Sequence, residues 1–572
     1  MKGASYQTLI IAGIFCFLLG KADCQVLQLD LISKKSDGAS AGNQASTKPV
    51  ISGDGKFIAF CSDANDLVSF DGNTLRDVFI YERSTGLTTL MSTDLFSTVA
   101  NGDACIESPS SGEKNIAISQ NGDYIAFSSD AANFNTIPAD TNLQTDVFLK
   151  YRVTGTIIRA SSDELLGDAN GPSYHPSLNS EGLLVAFDSE ATNLIEDVNG
   201  SVRDVFLKNM MDFSIELISQ SSSDEQGDDE SGHPELSGDG DLVTFLSRAS
   251  NLVSGAQSVN SQVLLRIRPS RETVRVSQNS AGEPANSDCS PSKISRDGNL
   301  IVFASAASNL DSKCSGGNSR QLFLYDRTNS ADPSLRCITV AKDGSEGDAD
   351  SGGGSDKYDI SADGRYIVFE SNASNLVPGS GSDTKIIRYD SQKNEFVLIS
   401  QTVQGQAADS KAVSPDVTDD GQIAVFSSNA SNLVAEDQNL VSDIYAVLAG
   451  SAERKLKKNT KIEAPPGVSV QGDDATITMQ KFKKASVKSS KARQLALSAR
   501  GAAKTSLRYV VTITNSNVAN DIRKLRSKKS VLTARDLPSG DYTVKYKINV
   551  FRDGKKAFST NSSPSAAFSI SP

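Results

Sequence analysis

Short apolar runs joined by polar, glycine-rich turns fill most of the first 450 residues, and one such unit recurs. Its first copy, residues 52–60, reads SGDGKFIAF. Six further copies are SQNGDYIAF from Ser119, NSEGLLVAF from Asn179, SGDGDLVTF from Ser237, SRDGNLIVF from Ser295, SADGRYIVF from Ser361 and TDDGQIAVF from Thr418. Their starts lie 67, 60, 58, 58, 66 and 57 residues apart. A repeat of this length made of short strands is typical of a β-propeller.

The first repeat predicts four antiparallel strands, which together make one propeller blade. These strands cover residues 49–52, 57–60, 77–81 and 87–92, and Asp54-Gly55 forms a hairpin turn because both residues tolerate positive φ. A proline recurs just before this turn, at Pro49, Pro176, Pro234, Pro291 and Pro415. Proline cannot donate to a sheet ladder, so the first strand of each blade is predicted to be the edge that faces the central channel.

The last repeat ends near Gly450 without a fourth strand, and a matching strand stands at the other end of the chain. Residues 26–33, VLQLDLIS, fit the fourth-strand pattern and precede the first repeat. We expect them to complete the last blade and close the ring, which hides sheet edges that would otherwise aggregate. The sequence therefore predicts an all-β protein, with a seven-bladed β-propeller over residues 25–450 followed by a small β-sandwich.

Three elements of the repeat resemble the WD40-like, TolB-type β-propeller repeat family. They are the SxDGxxIxF hairpin, the DVF third strand and an NLV segment at residues 251–253, 375–377 and 432–434. The resemblance covers residues 26–449. It implies the fold and leaves the function open, because propellers host many activities.

The composition changes after Gly450. Residues 451–464 are predicted to be a basic linker, and residues 465–572 a separate domain that opens with Pro465-Pro466-Gly467. Residues 537–544, LPSGDYTV, resemble the corner and following strand of a fibronectin type III domain. The resemblance implies that the Tyr542 hydroxyl ties this corner to the backbone.

The first 24 residues are predicted to be a signal peptide. Lys2 supplies the positive charge, and residues 9–19 form an apolar run of the length of a signal core. No later run is long and apolar enough to span a membrane, so we expect a secreted or extracellular protein, periplasmic in a Gram-negative bacterium. Of the five cysteines left after cleavage, Cys61 and Cys105 are one candidate pair, and two of Cys289, Cys314 and Cys337 are another.

An Asp-x-Asn motif followed by a further Asp precedes the third strand in four repeats. The four copies are Asp71, Asn73 and Asp77; Asp140, Asn142 and Asp146; Asp197, Asn199 and Asp204; and Asp437, Asn439 and Asp443. Oxygen ligands spaced in this way can surround a hard cation, so the loops predict Ca²⁺ as a cofactor. The alternative is that Asp and Asn only form Asx-turns that organise a long loop.

The candidate catalytic groups are sparse. His175 and His233 occupy matching positions in two repeats, where they form either a two-histidine site or ordinary polar packing derived from the repeat. The chain has no GxSxG, no HExxH and no phosphate-binding loop. Carboxylates are abundant enough that a glycosidase pair stays open.

The charge divides sharply between the two predicted modules. Residues 1–450 carry 32 basic and 61 acidic residues, whereas residues 451–572 carry 25 and 8. The candidate anion-binding residues of the second module are Lys481, Lys483, Lys484, Lys488, Arg523, Lys524, Arg526, Lys528 and Lys529. These charges bind an anionic polysaccharide or membrane surface, dock on the acidic propeller, or only solvate a loop. Nucleic acid is not the expected partner outside the cell.

Together these features favour a secreted, non-enzymatic binding or scaffold protein. Its propeller would engage an extracellular protein or glycan, and its basic module would hold an anionic surface. The alternative from another class is a polysaccharide hydrolase or lyase with its site at the propeller channel, and a third is a structural component of a wall or matrix.

Overall fold

Seven four-stranded antiparallel sheets make up the first part of the chain. The computed structural model describes residues 26–106, 115–134, 140–256, 258–316, 319–353, 357–377, 379–380 and 383–449, together with the backbone of strands between residues 467 and 570. Within these residues the helical structure is a single 3₁₀ turn, Arg268–Ser270. No described helix is long and apolar enough to cross a membrane. The predicted all-β, seven-bladed propeller is confirmed.

Each blade takes its strands in chain order, except that blade 7 borrows one from the N-terminal end. Blade 1 contains β2 (Ser46–Ile51), β3 (Phe57–Ser62), β4 (Asp77–Glu82) and β5 (Leu87–Leu90). Blade 2 contains β6 (Ile116–Ile118), β7 (Tyr124–Ser129), β8 (Asp146–Tyr151) and β9 (Ile157–Arg159). Blade 3 contains β10 (Ser173–Leu178), β11 (Leu184–Ser189), β12 (Asp204–Asn209) and β13 (Ile215–Leu217). Blade 4 contains β14 (Ser231–Leu236), β15 (Leu242–Ser247), β16 (Gln262–Ile267) and β17 (Glu272–Arg275).

The remaining blades follow the same plan. Blade 5 contains β18 (Lys293–Ile294), β19 (Leu300–Ser305), β20 (Gln321–Asp326) and β21 (Ser334–Cys337). Blade 6 contains β22 (Tyr358–Ile360), β23 (Tyr366–Ser371), β24 (Lys385–Asp390) and β25 (Glu395–Leu398). Blade 7 contains β26 (Ala412–Val417), β27 (Ile423–Ser428) and β28 (Asp443–Ala449), and its fourth strand is β1 (Val26–Leu31).

The ring closes where the two ends of the propeller segment pair. Strand β1 runs antiparallel to β28, with Leu31 opposite Tyr445, and the Ser33 hydroxyl donates to Asp443. The predicted closure by residues 26–33 is therefore confirmed. The prolines behave as predicted too, because the strands that contain Pro49, Pro176, Pro234 and Pro415 are all sheet edges.

The hydrophobic core of the described propeller residues is divided into seven layers, each of which lies between two neighbouring blades. Phe127 of blade 2, for example, packs with Ala59 and Ile80 of blade 1. The seam between blades 7 and 1 has the same construction, with Ile444 packed against Ile32 and Phe60. Because every blade contributes to two layers, no blade can bury its apolar faces unless both of its neighbours are present.

Two disulfides strengthen the propeller. Cys61 bonds to Cys105 and Cys314 bonds to Cys337, while Cys289 is free and buried. The predicted first pair is confirmed, and the structure selects the second from the three remaining cysteines. Disulfides persist in oxidising compartments, so they indicate a protein that lies outside the cytoplasm.

Residues 455–572 form a second compact unit. Its first sheet contains β29 (Gly467–Gln471), β30 (Asp474–Thr478) and β33 (Val531–Ala534). Its second contains β31 (Thr505–Asn515), β32 (Ile522–Ser527), β34 (Gly540–Arg552), β35 (Lys555–Asn561) and β36 (Ala566–Ile570). The predicted signal peptide, the linker over residues 451–464 and the side chain of Tyr542 lie outside the described part.

Candidate functional site at the axial cavity

The innermost strands of the seven blades surround a polar cavity of about 150 Å³. Every blade contributes lining residues, among them Ile51, Ile118, His175, His233, Lys293, Asp359 and Asp416. The cavity therefore suits a small polar ligand or an ion.

One end of the cavity is closed by a ring of backbone hydrogen bonds. At this end the hairpin between the first and second strands of each blade bonds to the hairpin of the next, as in Ser180 N to Gly238 O at 2.9 Å and Gly238 N to Arg296 O at 2.8 Å. Seven such bonds make the circle. The other five are Asp54 N to Gln120 O, Gln120 N to Ser180 O, Asp297 N to Ala362 O, Ala362 N to Asp419 O, and Asp419 N to Gly53 O.

Side chains bridge the same end between blades that are not neighbours. Arg296 of blade 5 donates to Asp419 of blade 7 at 2.8 Å and to the Ser180 hydroxyl of blade 3 at 2.9 Å. The Gln120 amide of blade 2 donates to the second oxygen of Asp419, also at 2.8 Å. Glycine provides the space, because a Cβ on Gly238 would stand 2.3 Å from the Arg296 side chain. We call this end the hairpin face.

The wall of the cavity holds a buried His–Asp–His cluster. His175 Nδ1 lies 2.7 Å from Asp188 Oδ2, and the same oxygen accepts the His233 backbone N–H at 2.8 Å. The two imidazole rings are 4.0 Å apart. Burial opposes ionisation of Asp188, but the positive charges of His175, His233 and Arg203 outweigh it and hold the pKa of Asp188 well below its usual range. One possible ligand atom from each of His175, Asp188 and His233 lies within 4.8 Å of the other two, a spacing that a transition metal could bridge.

Backbone geometry explains why the two histidines meet. His175 and His233 have φ of 51° and 55° and stand immediately before a proline, at a bulge in the innermost strand. Lys48 and Ser414 take the same conformation in blades 1 and 7. A residue before proline avoids this region unless its surroundings hold it there. The bulge thus recurs in blades 1, 3, 4 and 7, and in blades 3, 4 and 7 it brings a backbone N–H to an acceptor of the neighbouring blade.

Asp188 is the residue of this cluster that the sequence did not point to. It stands in the second strand, where the other blades have Cys61, Ser128, Leu246, Ala304, Glu370 and Ser427. The available signal was an acidic residue at a buried strand position where most of the other blades have a small or apolar residue. Glu370, the other acid of this set, accepts the Ser414 backbone N–H at 2.7 Å.

The carboxylates that line the cavity connect neighbouring blades. Asp416 accepts the backbone N–H of Ile51 at 2.6 Å, and Asp359 accepts that of Val417 at 2.9 Å. Glu235 accepts the Ser177 hydroxyl and forms an ion pair with Lys293. These acids therefore act as structural links between blades.

The structure places all four Asp-x-Asn loops on the face opposite the hairpin face. We call it the loop face; it consists of the loops between second and third strands and the connections between blades. In blade 2 the buried Arg159 guanidinium contacts Asp140, Asp146 and Asp168. Burial raises the pKa of Asp146 to about 7, although Ser161 and Arg159 favour its ionised form.

The loops of blades 1, 3 and 7 keep their acids together without such an arginine. Burial raises the pKa of Asp77 to about 6 and that of Asp443 to about 7, and in each case a neighbouring aspartate adds to the shift. In blade 3 the Gln226 amide donates to both Asp197 and Asp204, at 2.9 and 2.7 Å. A calcium ion at these loops stays a prediction.

The candidate anion-binding residues fall in the second unit. Lys481, Lys483, Lys484, Lys488, Lys528 and Lys529 lie outside the described residues. Arg523, Lys524 and Arg526 belong to β32, of which the structure describes the backbone.

Large apolar side chains are exposed mainly on the loop face. Of the eleven exposed large hydrophobic residues in the described part, eight belong to loops of this face. They are Phe70, Leu95, Phe96, Leu143, Leu165, Val198, Val259 and Leu440. Val153 and Met211 lie in turns of the hairpin face, and Leu87 begins a strand. Exposed apolar groups concentrated on one face are typical of a contact surface.

No protein-family model and no curated protein matches this chain. Solved structures do match. An oligogalacturonate lyase from Vibrio parahaemolyticus is 12% identical, with a TM-score of 0.44 over 74% of this chain and 96% of that one. A putative TolB from Agrobacterium tumefaciens is 13% identical, with a TM-score of 0.31 over 51% and 80%.

The WD40 repeats of RRP9 are 9% identical, with a TM-score of 0.36 over 75% of this chain and 98% of that one. Likeness at this level concerns the architecture, which the strand order of this chain establishes by itself. The chain is a seven-bladed β-propeller with TolB-like and WD40 structural neighbours.

Proposed function

We propose that this chain is an exported, non-enzymatic binding protein whose propeller docks a protein partner on its loop face. The observation that carries the proposal is the concentration of exposed apolar side chains on that face. Phe96 and Leu165 are 79% and 90% exposed at the tips of tight turns, and Phe70 is 89% exposed. Burying one such side chain in an interface stabilises a complex by about 1.5–3 kcal/mol.

Hydrogen bonds fix the conformation of the turn that carries Phe96. Asp94 accepts the backbone N–H groups of Phe96 and Thr98 at 2.8 and 2.7 Å. The buried Lys150 ammonium of the next blade donates to the Thr93 carbonyl beneath the same turn. A contact residue on a rigid turn loses little conformational entropy on binding, which favours a partner of defined shape.

The chemistry of the face favours a protein partner over a glycan. Its exposed large apolar groups are Phe, Leu and Val, and the chain contains no Trp. Sugar recognition uses polar groups around a flat aromatic platform, whereas protein interfaces bury aliphatic and aromatic side chains at their centre.

An array of extracellular proteins and glycans tests this proposal. The full chain is expected to bind a protein on the array, and the double variant Phe70→Ser, Phe96→Ser should bind it at least tenfold more weakly. Met211→Ser on the hairpin face is the matched control and should bind like the wild type. Binding to glycans only, or equal loss in the control, would contradict the proposal.

We also propose that the basic C-terminal region holds an anionic surface. Residues 451–572 carry 25 basic and 8 acidic residues, and electrostatic attraction of this kind is screened by salt. The full chain should therefore stay on a heparin-type column at low salt. Changing Lys481, Lys483, Lys484 and Lys488 to Glu should lower the salt concentration of elution, while the same change at Lys313, Lys342 and Lys411 of the propeller should leave it nearly unchanged.

A second candidate function is a polysaccharide hydrolase or lyase with its site at the axial cavity. The buried His175–Asp188 pair favours it, because a carboxylate that orients an imidazole can support proton transfer. Incubation with a panel of acidic polysaccharides would release reducing or unsaturated ends, and His175→Gln would abolish that release while Met211→Ser would not. No release by the wild type over the whole panel would count against this candidate.

A further inference from the structure

The chain contains two histidines in 572 residues, and the fold brings both of them to one carboxylate. His175 belongs to blade 3 and His233 to blade 4, and their imidazole rings lie 4.0 Å apart. One possible ligand atom of each lies within 4.8 Å of the other and of an oxygen of Asp188. Two imidazoles and a carboxylate at this spacing form a donor set that suits a divalent transition metal.

The buried carboxylate of this cluster is ionised and has an oxygen to spare. Although burial opposes its ionisation, the positive charges beside it, first that of His175, hold the pKa of Asp188 well below its usual range. Its Oδ2 accepts the His233 backbone N–H and lies 2.7 Å from His175 Nδ1. Its Oδ1 is buried and accepts no hydrogen bond from the described residues. A buried carboxylate oxygen without a donor costs free energy, and a bound cation offsets that cost.

Blade 6 builds the same positions without histidine. Lys357 stands at the repeat position of His175, and Glu370 stands at that of Asp188. The two side chains of blade 6 form an ion pair at 3.2 Å, and the next blade has a serine at the position of His233. In both places the acid accepts a backbone N–H of the next blade. The link between blades thus requires an acid but no imidazole, so the two histidines supply donors that the link itself does not need.

The axial cavity leaves room for a further ligand beside this donor set. His175 and His233 both line the cavity, whose volume is about 150 Å³. Zinc sites with three protein ligands keep a fourth position for water or a substrate group, whereas structural zinc sites use four protein ligands. Three donors at the wall of a polar cavity fit the open type.

We propose that His175, His233 and Asp188 bind a divalent transition-metal ion, foremost Zn²⁺, whose remaining coordination position opens into the axial cavity. Ca²⁺ and Mg²⁺ prefer oxygen ligands throughout, so the two imidazoles select against them. This inference goes beyond the proposed function, because the metal site and the loop face use different residues and neither requires the other.

Metal binding by the full chain tests the site. After EDTA treatment and dialysis, the wild type should bind one equivalent of Zn²⁺ that the variant His233→Gln binds at least about tenfold more weakly. Excess Ca²⁺ should not displace this equivalent. Lys357→Gln, at the matching position of blade 6, is the control and should bind Zn²⁺ like the wild type.

Cobalt reports on the ligands and on the open position. Co²⁺ bound at a site of low coordination number absorbs visible light, and this band should be present in the wild type and absent from His233→Gln. Azide, a small anion that binds open positions on metal ions, should shift the band. A band that azide leaves unchanged would contradict the opening into the cavity.

A variant that copies blade 6 guards against misfolding. His175→Lys rebuilds the lysine–acid pair beside Asp188, so it should unfold at nearly the wild-type temperature and lose the Zn²⁺. Phe96→Ser on the loop face should leave Zn²⁺ binding unchanged, which separates this inference from the docking proposal. No Zn²⁺ binding by the wild type, undiminished binding by a folded His175→Lys variant, or an equal loss in Lys357→Gln would overturn the proposal.

Discussion

The two faces of the propeller are built on different principles. On the hairpin face a complete circle of backbone hydrogen bonds is crossed by the Arg296–Asp419 ion pair, so that its polar groups are joined to one another. The loop face carries most of the exposed apolar side chains and also the buried carboxylate oxygens that lack a partner. The difference teaches that one face joins its polar groups to one another within the chain, while the other presents apolar side chains to its surroundings.

This comparison predicts that changes at closed parts of the ring alter folding, whereas changes on the loop face alter binding. Four predictions follow the size of the expected change in the free energy of unfolding.

Deletion of residues 26–33 should have the largest effect. It removes β1 from blade 7, together with the buried Leu31 and Ile32 and the Ser33–Asp443 hydrogen bond. We expect a loss of about 5 kcal/mol or more, because each buried aliphatic side chain contributes about 1.5–3 kcal/mol in addition to the lost ladder. Urea unfolding measures it. Deletion of residues 455–462 is the control, and a variant as stable as this control would show that closure contributes little.

Gly238→Ala should have the next largest effect, at the centre of the hairpin face. The new methyl group would meet Arg296 at 2.3 Å and the Ser180 hydroxyl at 2.7 Å, so the bridge across the channel must shift. Overpacking of this kind costs about 1–3 kcal/mol. Gly353→Ala offers a control, since its Cβ would lie 4.0 Å from the closest side-chain atom. If both variants were equally stable in urea, the Arg296 side chain would have adapted to the added methyl group without a loss of stability.

A pH titration should show a smaller effect from the lysines beneath the loop face. Burial lowers the pKa of Lys150 and of Lys208 from 10.5 to about 8. The unfolded chain therefore binds more protons than the folded chain above pH 8, and stability should rise between pH 8 and pH 9.5 by on the order of 1 kcal/mol. Lys208→Met should flatten this rise. Stability that falls over the same range in the wild type would contradict the assignment.

Phe70→Ser and Phe96→Ser should have the smallest effect on folding. Both side chains are exposed, so the free energy of unfolding should change no more than with an ordinary surface substitution, about 0.5 kcal/mol. Calorimetry checks this expectation. A larger loss would mean that these side chains support the propeller itself, and the contrast between the two faces would then weaken.

Much of the fold could be predicted because the evidence is local and repeated. The Asp54-Gly55 turn, the proline of each innermost strand and the spacing of the repeats indicate blades one at a time, and the unpaired fourth-strand pattern at residues 26–33 then indicates closure. None of these inferences needs a contact between distant residues beyond the closure itself.

The site was harder to predict because its contacts break the repeat. Arg296 and Asp419 are 123 residues apart and stand at a repeat position where the other blades have Gly, Gln, Ser or Ala. Asp188 meets His233 from another blade, and Arg159 meets Asp168 through a loop that no motif marks. Such contacts form only in the assembled ring, so they cannot be inferred from the sequence of a single repeat.

The closing strand has a consequence for biosynthesis. Ser33 and its partner Asp443 are separated by 410 residues, so the earliest strand of the propeller leaves the ribosome long before the strand that it completes. Until translation reaches the final sheet, the nascent ring keeps two open edges that can recruit chaperones or other chains. A prematurely terminated chain lacks β28 and cannot close the ring, so its open sheet edges make it easy for quality-control proteases to recognise.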